Sequence, residues 1–95
     1  MPYRALELTG IRTYHLGERR NLVTLADLID PSQPAPPFAN PDLEEVAADI
    51  VAARRADRPV VWMMGAHVIK CGLSRLLIDL IERGIVTHVA TNGAG

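Results

Sequence analysis

The run Val60-Val61-Trp62-Met63-Met64 constrains the fold more than any other part of this chain. It is short, continuously apolar and does not alternate, which predicts a strand buried on both faces, as in a parallel sheet. Gly65-Ala66-His67 follows as a turn. Leu73, Leu76, Leu77, Leu80 and Ile81 then recur at helical spacing, and Gly84, preceded by Arg83, stands where a helix C-terminal cap belongs. Ile85-Val86-Thr87-His88-Val89-Ala90-Thr91 reads as a second strand. Strand, glycine turn, helix and strand make a βαβ unit, whose crossover is expected to be right-handed. The expected fold class is α/β.

The preceding residues prepare this unit. Residues 41–57 read as a helix. Asn40 caps it, Pro41 fits its first position, and Asp42, Glu44 and Glu45 suit its positive end. Leu43, Val46, Ala47, Ile50 and Val51 form one apolar face, and Arg54 and Arg55 complement the dipole in the last turn. Five of the seven prolines (Pro31, Pro34, Pro36, Pro37 and Pro41) fall in a short stretch that predicts an extended arm, with Phe38 as its anchor. Nearer the N-terminus, Ile11 to Tyr14 reads as a short strand, and Leu22 to Ile29 as a helical turn begun by Thr24. The expected organisation is therefore a mixed segment (1–30), a proline-rich linker (31–41) and a partial α/β domain (42–95).

At 95 residues with a net charge of −1, one domain is the ceiling, and nothing favours nucleic acid or an anionic membrane as partner. The 48% hydrophobic content predicts a packed core. A single cysteine, Cys71, cannot build an intrachain disulfide framework. The charged N-terminal residues do not resemble a secretory signal, and no apolar run is long enough to span a bilayer. A cytoplasmic protein without a membrane partner is the expectation.

In open α/β sheets, ligands bind beyond the carboxyl ends of the strands. Two loops occupy such positions here, Gly65-Ala66-His67-Val68 and Asn92-Gly93-Ala94-Gly95. Both are rich in small residues that let a ligand approach the backbone, they should be neighbours if the strands are adjacent, and the following helix should aim its positive end at them. Neither contains the G-x-G-x-x-G fingerprint of dinucleotide sites. An ordinary turn is the competing reading for each. His67 suits a ligand contact or acid–base role because histidine titrates near neutrality, with a structural histidine as the alternative.

Other candidates favour structural readings. His88 reads as a satisfied core residue, and His15 as the end of a short strand. Lys70, the only lysine, reads as a snorkelling surface side chain, or as a nucleophile if desolvated. Cys71, Trp62, Met63 and Met64 read as core. Arg19-Arg20 is either a phosphate grip or a solvated pair. The histidines show no metal-ligand spacing, so no metal is expected.

The segment from Pro59 through Gly72-Leu73, the helix Leu76 to Ile85, and the strand ending in Thr91-Asn92-Gly93-Ala94 resemble the N-terminal part of deoxyhypusine synthase-like proteins. The likeness covers roughly residues 41–95, and Arg19 to Asp30 also looks similar to bacterial relatives. It implies a Rossmann-like, NAD-binding fold, part of a doubly wound domain, assembled as a homo-oligomer, in that family a homotetramer. It implies that Gly65, Ala66, His67, Thr91, Asn92, Gly93 and Ala94 line the NAD site, with His67 the only catalytic candidate. In the synthase, NAD takes a hydride from spermidine and a lysine carries the aminobutyl group onward. Here Gly65-Ala66-His67 replaces Thr-Ser-Asn-like residues of the family, and Lys70 does not match its catalytic lysine.

The expectation is thus a fragment of an NAD-dependent transferase acting on an amine or amino acid, inactive by itself. An ornithine cyclodeaminase-type NAD domain is the runner-up enzyme class. A non-catalytic module that completes its sheet with a partner chain is the alternative outside enzymes. Because Thr91-Asn92-Gly93-Ala94-Gly95 follows an apolar run directly, the sequence reads as cut within its second ligand-side loop.

Overall fold

The computed structural model describes residues 3–95. Met1 and Pro2, the start of the expected N-terminal segment, lie outside them. Three short 3-10 turns come first, at Leu8–Gly10, Leu16–Glu18 and Leu25–Asp27. Helix α1 (Pro41–Arg55), strand β1 (Val61–Met64), the one-turn helix α2 (His67–Lys70), helix α3 (Ser74–Glu82) and strand β2 (His88–Thr91) follow. The strands pair in parallel, with Val61 opposite His88 and Met64 opposite Thr91. The chain is therefore a mixed helix-and-strand structure around a two-stranded parallel sheet, as an α/β reading requires.

Local chemistry sets the helix boundaries. The Asn40 side chain accepts a hydrogen bond of 2.9 Å from the Asp42 N–H, with Pro41 in the first turn. All three helices end in the same backbone device. After α3, the Gly84 N–H donates to the Ile81 carbonyl (3.0 Å) and the Ile85 N–H to the Leu80 carbonyl (2.9 Å), a Schellman motif with Gly84 at φ 70°. After α2, Gly72 (φ 77°) donates to Ile69 and Leu73 to Val68. After α1, Asp57 (φ 55°) takes the left-handed position, and Arg58 donates to Ala53. Arg54 then fastens the end of α1 to the rest. Its Nε donates to the Gly84 carbonyl (2.8 Å) and its Nη1 to the Arg58 carbonyl (2.7 Å).

The N-terminal segment is held at one place. Thr24 opens the third 3-10 turn, as its sequence suggests, and its N–H and hydroxyl both donate to Asp27 Oδ2 (2.8 and 3.0 Å). Two residues later the Ile29 N–H donates to the Gly72 carbonyl (3.0 Å). A Cβ on Gly72 would lie 2.7 Å from the Asp27 carbonyl oxygen, so the segment rests directly on the α2–α3 junction.

Several expectations are corrected. Ile11 to Tyr14 forms no strand. Ile11 has extended backbone (φ −74°, ψ 125°), but no neighbouring segment completes a ladder. The second strand begins at His88 rather than Ile85, because the Schellman bonds engage the Ile85 and Val86 N–H groups with Leu80. One helix was expected after the first loop. The left-handed Gly72 divides it into α2 and α3.

Burial also differs from expectation. β1 is covered on one face alone: Trp62 and Met64 are partly buried, whereas Met63 is 81% exposed, and all of β2 is exposed. Among the described residues the buried hydrophobic side chains are Ala66, Leu77 and Val86, with Gly72 the one other buried residue. Phe38, at 74% exposure, anchors nothing. Two strands with one short crossover can shield one sheet face, and α1 keeps Leu43, Val46 and Val51 open to solvent.

Candidate functional site

The parallel register carries both flagged loops to the same end of the sheet. Met64 and Thr91 are partners, so Gly65 and Asn92 leave the strands side by side. A Cβ on Gly65 would sit 3.5 Å from Asn92 Nδ2, a measure of how closely the second loop approaches the first. The Asn92 side chain organises its own loop, its Oδ1 accepting from the Ala94 N–H (3.1 Å), while the Gly95 N–H donates to the Asn92 carbonyl (3.0 Å). That leaves Asn92 Nδ2 as the donor facing the first loop. Gly93 has open space on its Cβ side.

In the first loop Ala66 is buried and caps α2, and His67 is the exposed first residue of that helix. Gly65, Ala66, His67, Thr91, Asn92, Gly93 and Ala94 thus share one end of the sheet, as their positions after parallel strands require. The helix dipole expected behind them is limited to the single turn of α2, since α3 begins beyond Gly72.

The remaining candidates separate. His88 is exposed rather than core, and its Nδ1 lies 2.8 Å from Thr87 Oγ1. That hydroxyl accepts from the Val60 N–H (3.0 Å) and donates to the Val60 carbonyl (3.0 Å). His15 precedes the second 3-10 turn and is exposed; no strand comes before it. Cys71, which caps α2 beside Gly72, is exposed rather than a buried hydrophobe. Trp62 Nε1 is shut off from solvent without a hydrogen-bond partner.

The adjacent pair Arg19-Arg20 and the sequence-distant Lys70 line one groove that excludes the strand-end loops. No spacing signal could have joined Lys70 to the arginine pair. Among the described residues no three His, Cys, Asp or Glu side chains gather as a metal-binding group, and no helix is long and apolar enough to cross a membrane.

No family model, curated protein or solved structure matches the chain.

Proposed function

We propose that the chain is the ligand-side βαβ part of an NAD-binding, Rossmann-like α/β protein of the deoxyhypusine synthase-like kind. The observation that carries this reading is the parallel pairing of β1 and β2. It sets Gly65-Ala66-His67 beside Thr91-Asn92-Gly93-Ala94 at the carboxyl ends of the strands, where such sheets hold ligands.

The donor set fits one part of NAD better than another. Asn92 Nδ2, the Thr91 hydroxyl and the His67 ring suit ribose hydroxyls and a carboxamide, and the open side of Gly93 admits a close approach. A pyrophosphate finds less here, because α2 is one turn long and no G-x-G-x-x-G precedes it. Bound NAD would supply hydride acceptance from a carbon bearing an amine. His67 would orient the ligand or move a proton at its rim. A transferase acting on an amine or amino acid remains the first reading of the reaction, and an ornithine cyclodeaminase-type enzyme the second.

Titrating the isotope-labelled chain with NAD tests this. Saturable shifts of the amides of residues 65–68 and 91–94, weakened by His67→Ala, are expected. Unchanged amide signals at saturating NAD would refute the reading.

A module that completes its sheet with a partner chain, whether a second copy or another protein, is the competing reading. Exposure favours it, since Val61 and Met63 on β1 and Leu43, Val46 and Val51 on α1 stand open. A homo-oligomer, tetrameric by family likeness, would satisfy both readings.

A further inference from the structure

We infer that the groove between the N-terminal segment and helix α2 is a second ligand site, built for a small organic phosphate with an apolar body. The groove has a volume of about 840 Å³, within the range of small-molecule sites. Its walls come from two regions of sequence that the fold brings together, residues 19–25 with Leu28 on one side and Ile69, Lys70 and Ser74 on the other. The Ile29–Gly72 hydrogen bond and the close approach of Asp27 to Gly72 hold these walls in place.

Charge sets the polar end of the ligand. Arg19, Arg20 and Lys70 all line the groove, and no carboxylate does. None of the three forms an ion pair among the described residues, where the ion pairs are Arg54–Asp57 and Arg83–Asp79. Glu18 adjoins Arg19 in sequence but forms no ion pair with it among the described residues, and Asp27 and Asp30 are already engaged by Thr24 and Ser32. Three uncompensated cations exceed what one carboxylate needs and suit a phosphate monoester, which carries a charge of about −1.5 to −2 at neutral pH. Arginine offers paired donors for such oxygens, and the Ser74 hydroxyl adds one more, the Thr24 proton being given to Asp27.

The apolar end follows from the remaining lining. Leu28 is partly buried in the wall, and Ile69 is half exposed beside it. Leu22 is fully exposed and Leu25 is 81% exposed on the same groove. A bare phosphate ion would leave these leucines in water, whereas an aromatic or aliphatic body joined to the phosphate covers them. The site lies apart from the strand-end loops and does not depend on NAD binding there.

Phenyl phosphate, inorganic phosphate and phenol titrated separately into the isotope-labelled chain test the inference. Phenyl phosphate should shift the amides of residues 19–25 and 69–74 to saturation, inorganic phosphate should bind the same amides more weakly, and phenol should leave them unchanged. The double variant Arg19→Ala/Arg20→Ala should weaken phenyl phosphate by about tenfold or more, with the β1 and β2 signals in place. Arg20→Lys, which keeps the charge and loses the fork, should weaken it less. Phenol shifting these amides as strongly as phenyl phosphate would overturn the inference, as would shifts that do not saturate. So would undiminished affinity in the folded double variant. The wild-type comparison of the three probes decides the matter even if the double variant fails to fold.

Discussion

Gly72→Ala isolates the junction between the N-terminal segment and the βαβ unit. Two costs arise at this position. Gly72 has φ 77°, where a side chain crowds its own backbone, costing alanine about 1–2 kcal/mol. The new Cβ would also meet the Asp27 carbonyl oxygen at 2.7 Å, and that oxygen belongs to a backbone that must move as a unit. Moving it breaks the Ile29–Gly72 hydrogen bond, worth about 1 kcal/mol net. Gly84→Ala is the control. Its φ is 70°, also left-handed, but nothing lies within 4 Å of the place a methyl group would take, so the first cost stands alone. The expected total for Gly72→Ala is about 2–3 kcal/mol, against about 1–2 kcal/mol for Gly84→Ala. Urea unfolding of both variants gives the difference, and amide hydrogen exchange locates it. Ile29 should lose about fivefold protection in Gly72→Ala and none in Gly84→Ala. Equal destabilisation by both variants with Ile29 protection unchanged would refute the reasoning.

Arg54→Ala should destabilise by about 2 kcal/mol in thermal melts, since it removes two hydrogen bonds from a charged donor that join α1 to Gly84 and Arg58. Asp57→Asn, which removes only a 4.0 Å ion pair with a fully exposed carboxylate, should leave the melting point nearly unchanged. The Thr24 N–H, and then its hydroxyl, hold the Asp27 carboxyl below its ordinary value of 3.8. A carboxyl whose folded value is depressed stabilises the fold above the unfolded value and ceases to do so as pH falls through the folded one. The turn at residues 24–27 should therefore persist at pH 3.8 and open below it. Carbon NMR titration of Asp27 should give a midpoint under 3.8, raised only in part by Thr24→Val, because the backbone N–H is the larger cause.

The parts of the fold governed by local chemistry were legible in the sequence. The Asn40 cap, the left-handed position of Gly84 and the Thr24 turn each depend on residues within a few positions of one another, as does the alternation between helix and strand that makes the βαβ unit. Burial was not legible. Met63 and Cys71 read as core because their types usually are, but a side chain is buried only where another element covers it. Ile11 to Tyr14 failed for a related reason: β-branched residues favour extended backbone, and a strand exists only when a second segment accepts its hydrogen bonds. The adjacency of Gly65 and Asn92 was readable because parallel pairing puts successive strand ends together. The meeting of Arg19, Arg20 and Lys70 was hidden, because it depends on the Gly72 contact, which no periodicity announces.

The exposed apolar surface and the strand-end site both follow from the parallel pair, whereas the arginine-lined groove follows from the Gly72 contact. A parallel pair leaves both sheet edges open, and its faces need helices on both sides. The crossover partly covers the Trp62–Met64 face, leaving Val61 and Met63 outward. Arg54 pins the C-terminal end of α1 near Gly84, yet the stripe of Leu43, Val46 and Val51 stays open along the helix. An association that buries these surfaces would meet the sheet edges, the outer face of β1 and α1. The strand-end loops and the arginine-lined groove include none of those apolar residues. Covering the chain and loading it with ligand are therefore separable on residue identity. A partner could complete the sheet without the Arg19, Arg20 and Lys70 side chains, and a ligand in either site could be held without Val61, Met63 or the α1 stripe.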